Sequence, residues 1–236
     1  MSDRPSIAVL GAGAFGTALA NAAGRAGRQT LIWARDGATV AAINETRSNA
    51  ARLPGARIHP RVRATGDLTE AAAAEIVLLV VPAQALRQVA SAVADRVRPG
   101  TPLVICAKGI ERGTGRFLSE VVAEVAPRAV PAVLSGPGFA ADIEQGLPTA
   151  LTVAAEDEAL ARLIAEQLGS PTLRLYHSTD LRGVEIGGAT KNVLAIAAGV
   201  VSGRKLGASA VAALTARGFA ELSRFARLEP RSFVSS

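Results

Sequence analysis

A chain of 236 residues with a net charge of +6, 49% hydrophobic residues and 3% aromatics is long enough for one full α/β domain plus a modest addition, and too apolar to stay disordered. Its arginines are spread along the chain, with no clustered basic face interleaved with aromatics, which argues against nucleic acid as a partner. No apolar run is expected to span a membrane, the opening MSDRPS lacks a signal peptide's hydrophobic region, and the lone Cys106 lies in the apolar run LVIC, so the expectation is a cytoplasmic protein, off the membrane, whose cysteine is a packed strand residue.

Ile7 to Leu10 is an apolar run of the kind that a strand buried on both faces requires, and Gly11, Gly13 and Gly16 follow it in G-x-G-x-x-G spacing. Gly11 permits a tight turn, Gly13 lets backbone approach a pyrophosphate, and Gly16 brings the next helix against the sheet with its partly positive N-terminus toward the phosphates. An Ala-rich helix to about Ala26, closed by Gly27, and a strand from Thr30 to Trp33 complete a β-α-β unit. Glycine turns without a ligand are common, but this context favours dinucleotide binding. NAD-selective sites place Asp or Glu at the end of the second strand, where this chain has Trp33-Ala34-Arg35. Arg35 suits a 2′-phosphate and favours NADPH, while Asp36, one place later, leaves NAD open. The competing reading of Arg35 is a solvated side chain at the start of a loop.

Gly37 to Thr46 reads as a short helix, Arg47 to Arg63 as an irregular basic surface stretch broken by Pro54, Gly55 and Pro60, and Arg61 to Thr65 as a short strand. Asp67 or Thr69 caps a helix to Ala74, and Ile76 to Val81 is a buried strand stopped by Pro82 at the cofactor edge. A helix over Ala83 to Arg96, a strand over Pro102 to Cys106, a helix from Arg116 to about Ala126 and a strand over Ala132 to Ser135 follow. The turn from Gly136 to Ala140 offers amides to an anion. Thr149 to Ala154, the helix Glu158 to Leu168 and Thr172 to Tyr176 complete the sheet. This alternation predicts a Rossmann-type, doubly wound, mostly parallel α/β sheet. From about Thr179 strands cease, so the expected division is 1–180 for dinucleotide binding and 181–236 for the first part of a helical substrate domain. That part holds one long, largely buried helix from Val184 to Gly203 and a second from Ser209 to about Arg227.

Two lysines stand out. Lys108 follows the Pro102–Cys106 strand on the same sheet edge as Gly11, and Lys191 lies among Leu, Ile, Val and Ala. Desolvating an ammonium is costly, so Lys191 reads as a general acid/base whose pKa is lowered by burial and by Lys108. The competing reading is a snorkelling side chain, and for Lys108 an exposed loop lysine. No metal is called for.

The motifs GAGAFGTALA (11–20), VPA (81–83), AKGIE (107–111), SGPGFAADI (135–143) and GVEIGGATKNVLAIAAGVVSG (183–203) resemble, in order and register from about Ser6 to Phe233, the bacterial-type NAD(P)-dependent glycerol-3-phosphate dehydrogenases. The resemblance implies reduction of dihydroxyacetone phosphate by NADPH or NADH to sn-glycerol 3-phosphate, a phospholipid precursor. It implies that Gly11, Gly13, Ala14, Phe15, Gly16, Arg35 and Ala140 meet the cofactor. Lys108 would meet the nicotinamide end and, with Gly136 and Gly138, the substrate, and Lys191 would protonate the alkoxide. The anionic substrate and cofactor account for the positive charge.

Two departures qualify it. Gly138 stands where the family usually has a hydroxyl residue, so only a backbone contact carries over. The family's Gly-Leu-Gly-Asp and Ser-Arg-Asn segments, which supply an acidic partner for the lysine and the arginine that grips the substrate phosphate, do not occur in these residues. The expectation is an intact cofactor domain beside an incomplete substrate domain whose apolar helices need cover, leaving a homodimer open. The competing readings are a non-catalytic dinucleotide-binding fragment and a related hydroxy-acid reductase, the latter disfavoured by KGIE and GGATKN.

Overall fold

The computed structural model of the chain describes residues 5–227. Its centre is an eight-stranded sheet of β1 (Ile7–Leu10), β2 (Thr30–Trp33), β3 (Val62–Thr65), β4 (Ile76–Leu79), β5 (Pro102–Ile105), β6 (Val130–Ser135), β7 (Thr149–Ala154) and β8 (Leu173–Ser178), in the order β3-β2-β1-β4-β5-β6-β7-β8. Neighbours run parallel except β6 and β7, which pair antiparallel with Val133 opposite Ala154. The helices are α1 (Ala14–Arg25), α2 (Gly37–Ala41), α3 (Leu68–Ala72), α4 (Leu86–Val93), α5 (Leu118–Val125), α6 (Ala140–Glu144), α7 (Glu158–Leu168), α8 (Leu181–Gly203) and α9 (Ala208–Arg227).

Every residue of β1, β4 and β5 is buried, as apolar runs without polar alternation require. The two faces feed two cores by strand alternation: Ile7 and Val9 pack with α1 and α7, while Ala8 and Leu10 pack with α4 and α5. Strand order diverges from the β1/β4 pair, so the connections leave toward opposite faces and a crevice opens beyond Leu10 and Leu79. The glycine turn sits there. Gly11 has φ +126, and a Cβ on it would lie 2.2 Å from the Val80 carbonyl oxygen. A Cβ on Gly16 would lie 1.9 Å from the Gly11 carbonyl oxygen.

The predicted elements are all present, with local differences. The segment 37–46 is helical, but Ala42–Thr46 widens into a π turn that ends at Arg47, with φ 53. The helix expected from Ala83 opens as a 3-10 turn over Ala83–Ala85 behind an extended Pro82 (φ −55, ψ 144), and the regular α4 begins at Leu86. α5 begins at Leu118, since Phe117 bridges back to Ile110 and closes the loop after Lys108.

α8 calls for two corrections. It was expected to be largely buried, yet only Glu185, Ile186 and Gly188 are, while Val193 (69%), Ile196 (68%) and, on α9, Phe219 (68%) are exposed. The helix packs on β6, β7 and α9, and Arg182 and Glu185 in its first turns bond α5. The second concerns membranes. α8 is long and apolar enough by length and composition to cross one, because its many Gly and Ala residues dilute Glu185 and Lys191.

These contacts separate two glycine roles. Gly16→Ala should cost about 3 kcal/mol or more in chemical denaturation. Gly13 has φ −74 and open space where its Cβ would stand, so Gly13→Ala should change stability by less than about 0.5 kcal/mol.

Candidate active site

The crevice at the switch point is a cleft of about 490 Å³ whose lining includes Gly11, Gly13, Arg35, Asp36, Arg52 and Pro82. α1 enters it with no acidic residue in its first turn and no side chain capping its amides, so its donors are left for an anion. At the far end Arg35 and Arg52 supply positive charge. Asp36 is engaged elsewhere: its carboxylate accepts from Ala38 N (3.1 Å), Thr39 N (3.2 Å) and Thr39 Oγ1 (2.7 Å), and these bonds, Thr39's first, hold its pKa below the usual value. An open cradle at Gly13, free helix amides and two arginines fit a phosphorylated dinucleotide. The turn is braced by Asn49, which is buried and donates to Ala12 O (3.0 Å) and Thr17 Oγ1 (2.8 Å).

Along the same edge, Lys108 is half-buried with Nζ 5.3 Å from the Phe15 ring centroid. A Cβ on Gly188 would lie 2.8 Å from Ser135 Oγ and 3.6 Å from Lys108 Cγ, so the glycine lets α8 cross the end of β6 in close contact. Lys191 lies three residues further along α8 and acts electrostatically on Lys108. The expected burial of Lys191 is overturned, for its side chain is exposed. Desolvation first, then the charge of Lys191, push the Lys108 pKa below the ordinary lysine value. Cys106 beneath it is fully packed, and burial raises its thiol pKa to about 12. Gly136 has φ +145 and packs on Leu151, and Ala140 opens α6.

The base of α8 is fixed on α5. Phe117 offers no capping oxygen, and Glu185 of α8 takes that part, accepting from Ser119 N (2.9 Å) and Ser119 Oγ (2.5 Å). Arg182 donates to Glu120 (2.7 Å) and stacks 4.0 Å from the Phe117 ring centroid. Burial raises the Glu185 pKa against the lowering pull of Ser119. The Lys108 loop has its own clamp: Arg87 bonds Glu111 (2.8 and 3.0 Å) and Glu124 (3.0 and 3.0 Å). Arg87 and Thr114 hold the Glu111 pKa down to about 2.

Two family models match the chain, the N-terminus of NAD-dependent glycerol-3-phosphate dehydrogenase over residues 6–161 and its C-terminus over 180–234. The chain belongs to the NAD-dependent glycerol-3-phosphate dehydrogenase family. It is 62% identical to the NAD(P)+ glycerol-3-phosphate dehydrogenase of Azorhizobium caulinodans over 96% of this chain and 69% of the relative. It is also 62% identical to that of a Bradyrhizobium species over 94% and 68%. The crystal structure of glycerol-3-phosphate dehydrogenase from Coxiella burnetii superposes with a TM-score of 0.85 at 34% identity, covering 94% of this chain and 68% of that one.

A Cβ on Gly138 would stand 2.8 Å from Leu151 Cδ2, so the leucine occupies the space that a side chain at this position would take. Arg52, Asn49, Glu111 and Glu185 went unnoticed in the sequence. Glu111 and Glu185 stand inside the quoted motifs, and their acidity amid apolar or basic neighbours was the available signal. Arg52 and Asn49 lie in the irregular stretch, where no periodicity marks them.

Glu185 gives a pH-dependent expectation. Its folded pKa lies above the unfolded one, so its protonated form binds the fold better, and its contribution is complete below the ordinary carboxylate range and lost as pH rises through the folded pKa. Glu185→Gln should therefore remove that slope from stability-versus-pH curves. Glu185→Ala should cost about 1–3 kcal/mol by orphaning the Ser119 amide.

Proposed function

We propose that the chain reduces dihydroxyacetone phosphate to sn-glycerol 3-phosphate, a glycerophospholipid precursor, in the cytoplasm. In this reading it takes NADPH in preference to NADH, with 1–180 as the dinucleotide-binding domain and 181–236 as the first part of a helical substrate domain. One observation carries it: Lys108, Ser135 and the Gly188 turn of α8 meet at the sheet edge that also bears the glycine turn. Family membership supports the reaction and the use of NAD(P).

The nicotinamide dinucleotide, when bound, supplies hydride to the ketone carbon. The amides of Ala14, Phe15 and Gly16 and the open face of Gly13 would receive its pyrophosphate, while Arg35, seconded by Arg52, would hold the 2′-phosphate with charge-assisted bonds. Phe15 forms a flat wall beneath Lys108, with Ala140 near the same end. Lys108 donates a hydrogen bond to the carbonyl oxygen, and this bond strengthens as negative charge develops there. Lys191 transfers a proton from Nζ to that oxygen, which completes the alcohol, and takes another from solvent. Backbone amides at Gly136 and Gly138 orient the substrate.

NADPH oxidation by the full chain with dihydroxyacetone phosphate tests the reading. Lys191→Ala should lower kcat about 100- to 10,000-fold while leaving the NADPH Kd unchanged. Turnover that survives this substitution, or NADPH binding without any turnover in the unsubstituted chain, overturns the catalytic assignment. Arg35→Gln should weaken NADPH about tenfold or more, a loss of ~1.4 kcal/mol, with little effect on NADH.

The two lysines can be checked apart from activity. The chain has only three, Lys108, Lys191 and Lys205. Lys191→Met should raise the Lys108 pKa, read as slower Lys108 acylation at fixed pH by mass spectrometry.

A further inference from the structure

The stretch from Arg47 to Arg63 carries five arginines, one histidine and no acidic residue. The cofactor cleft accounts for Arg52, and an ion pair with Glu70 for Arg63. Arg47, Arg57 and His59 gather elsewhere, around a second cleft of about 490 Å³ that they line with Ile58 and Pro60. His59 packs on Gly24, where a Cβ would lie 2.7 Å from Nδ1. Gly24 is ten residues beyond Ala14 on α1, which sets this cleft about 15 Å along the helix from the glycine turn.

The groups around the cleft are held in place before any ligand arrives. Half-buried Arg47 donates from Nη1 to Val62 O (2.9 Å) and from Nη2 to Ile58 O (3.2 Å) and to His59 O. That leaves Nε and one Nη1 proton to donate outward. The Arg57 carbonyl accepts from Asn21 Nδ2 (3.1 Å), so its backbone is anchored. Its exposed guanidinium pairs with no carboxylate among the described residues. Arg61 N donates to His59 Nδ1 (3.2 Å), which fixes the neutral ring as an Nε2–H donor.

The charges facing His59 are one-sided. Arg25 comes from α1, and Arg47 and Arg61 from the stretch itself; with desolvation the larger cause, they keep the imidazole pKa below its usual value. Glu144 of α6, the acid beside Asn21 and Arg25, is already bonded to the first (2.8 Å) and paired with the second (3.7 Å).

We propose that this cleft binds a small phosphate-bearing anion between Arg47, Arg57 and the His59 imidazole, as a site separate from the cofactor cleft. Two guanidinium groups and an imidazole N–H match the oxygens of a phosphate, and the anion supplies the negative charge that the cluster lacks. Binding favours the imidazolium and so draws a proton onto His59 Nδ1, at the expense of the bond that this nitrogen accepts from Arg61 N.

The test is proton NMR of the full chain, titrated with pH in inorganic phosphate and in chloride at equal ionic strength. There are two histidines, and His177, which lies 3.7 Å from Glu158, serves as the internal reference. Phosphate should raise the His59 pKa by about one unit, saturably, and leave His177 in place. Arg57→Gln should keep the melting temperature, since the Arg57 side chain makes no hydrogen bond among the described residues, and should lose most of the response. The proposal is overturned if His59 does not move, if both histidines move together, or if Arg57→Gln responds like the unsubstituted chain. It is equally overturned if short single-stranded DNA shifts His59 at about a hundredfold lower concentration than phosphate, which marks an extended polyanion contact.

Discussion

The Gly11 carbonyl oxygen lies where a side chain on Gly16 would begin, and the cofactor half of the molecule is built outward from that approach. It seats α1 on β1, aims the helix amides into the crevice and sets the direction in which Phe15 reaches toward Lys108. Nothing else could substitute for it, because the clash would be with backbone rather than with a movable side chain. Asn49 then holds the turn from outside by its bonds to Ala12 and Thr17. A rigid turn with few side chains of its own is what a diphosphate ligand needs, since affinity then comes from donors already in place.

At the other end of the site the logic is charge. Two of the chain's three lysines meet at one edge, and the cost of placing like charges together falls on Lys108, which is also the one removed from water. Desolvation and the neighbouring charge both lower the Lys108 pKa, while the Lys191 side chain stands in solvent. Both are positioned by ion pairs away from the chemistry, Arg87 with Glu111 for the Lys108 loop and Arg182 with Glu120 for α8. Such pairs add little to stability when exposed, but they fix the angle at which a loop or helix leaves the sheet.

The sheet was legible because its strands are short, apolar and separated by Gly and Pro. The antiparallel β6/β7 pairing was not, since one reversed strand looks like its parallel neighbours in a periodicity reading. Lys108 and the glycine turn could be placed at one edge from strand order alone. The burial of α8 could not, because apolar composition states what a helix can cover and leaves open what lies against it. That is why Lys191 was expected in a core and stands exposed. Asn49 and Arg52 act through three-dimensional proximity from an irregular stretch, and composition there announces only charge.

The cap of α5 has a consequence in time. Ser119 and Glu185 are 66 residues apart, so on a ribosome moving at roughly 5–20 residues per second the acceptor for that amide emerges about 3–13 s after the helix it completes. Through that interval α5 must form against β5 and β6 with an open first turn. Docking of α8 is then the event that closes the nascent domain, joining completion of the sheet's helical cover to arrival of the helix that bears Lys191.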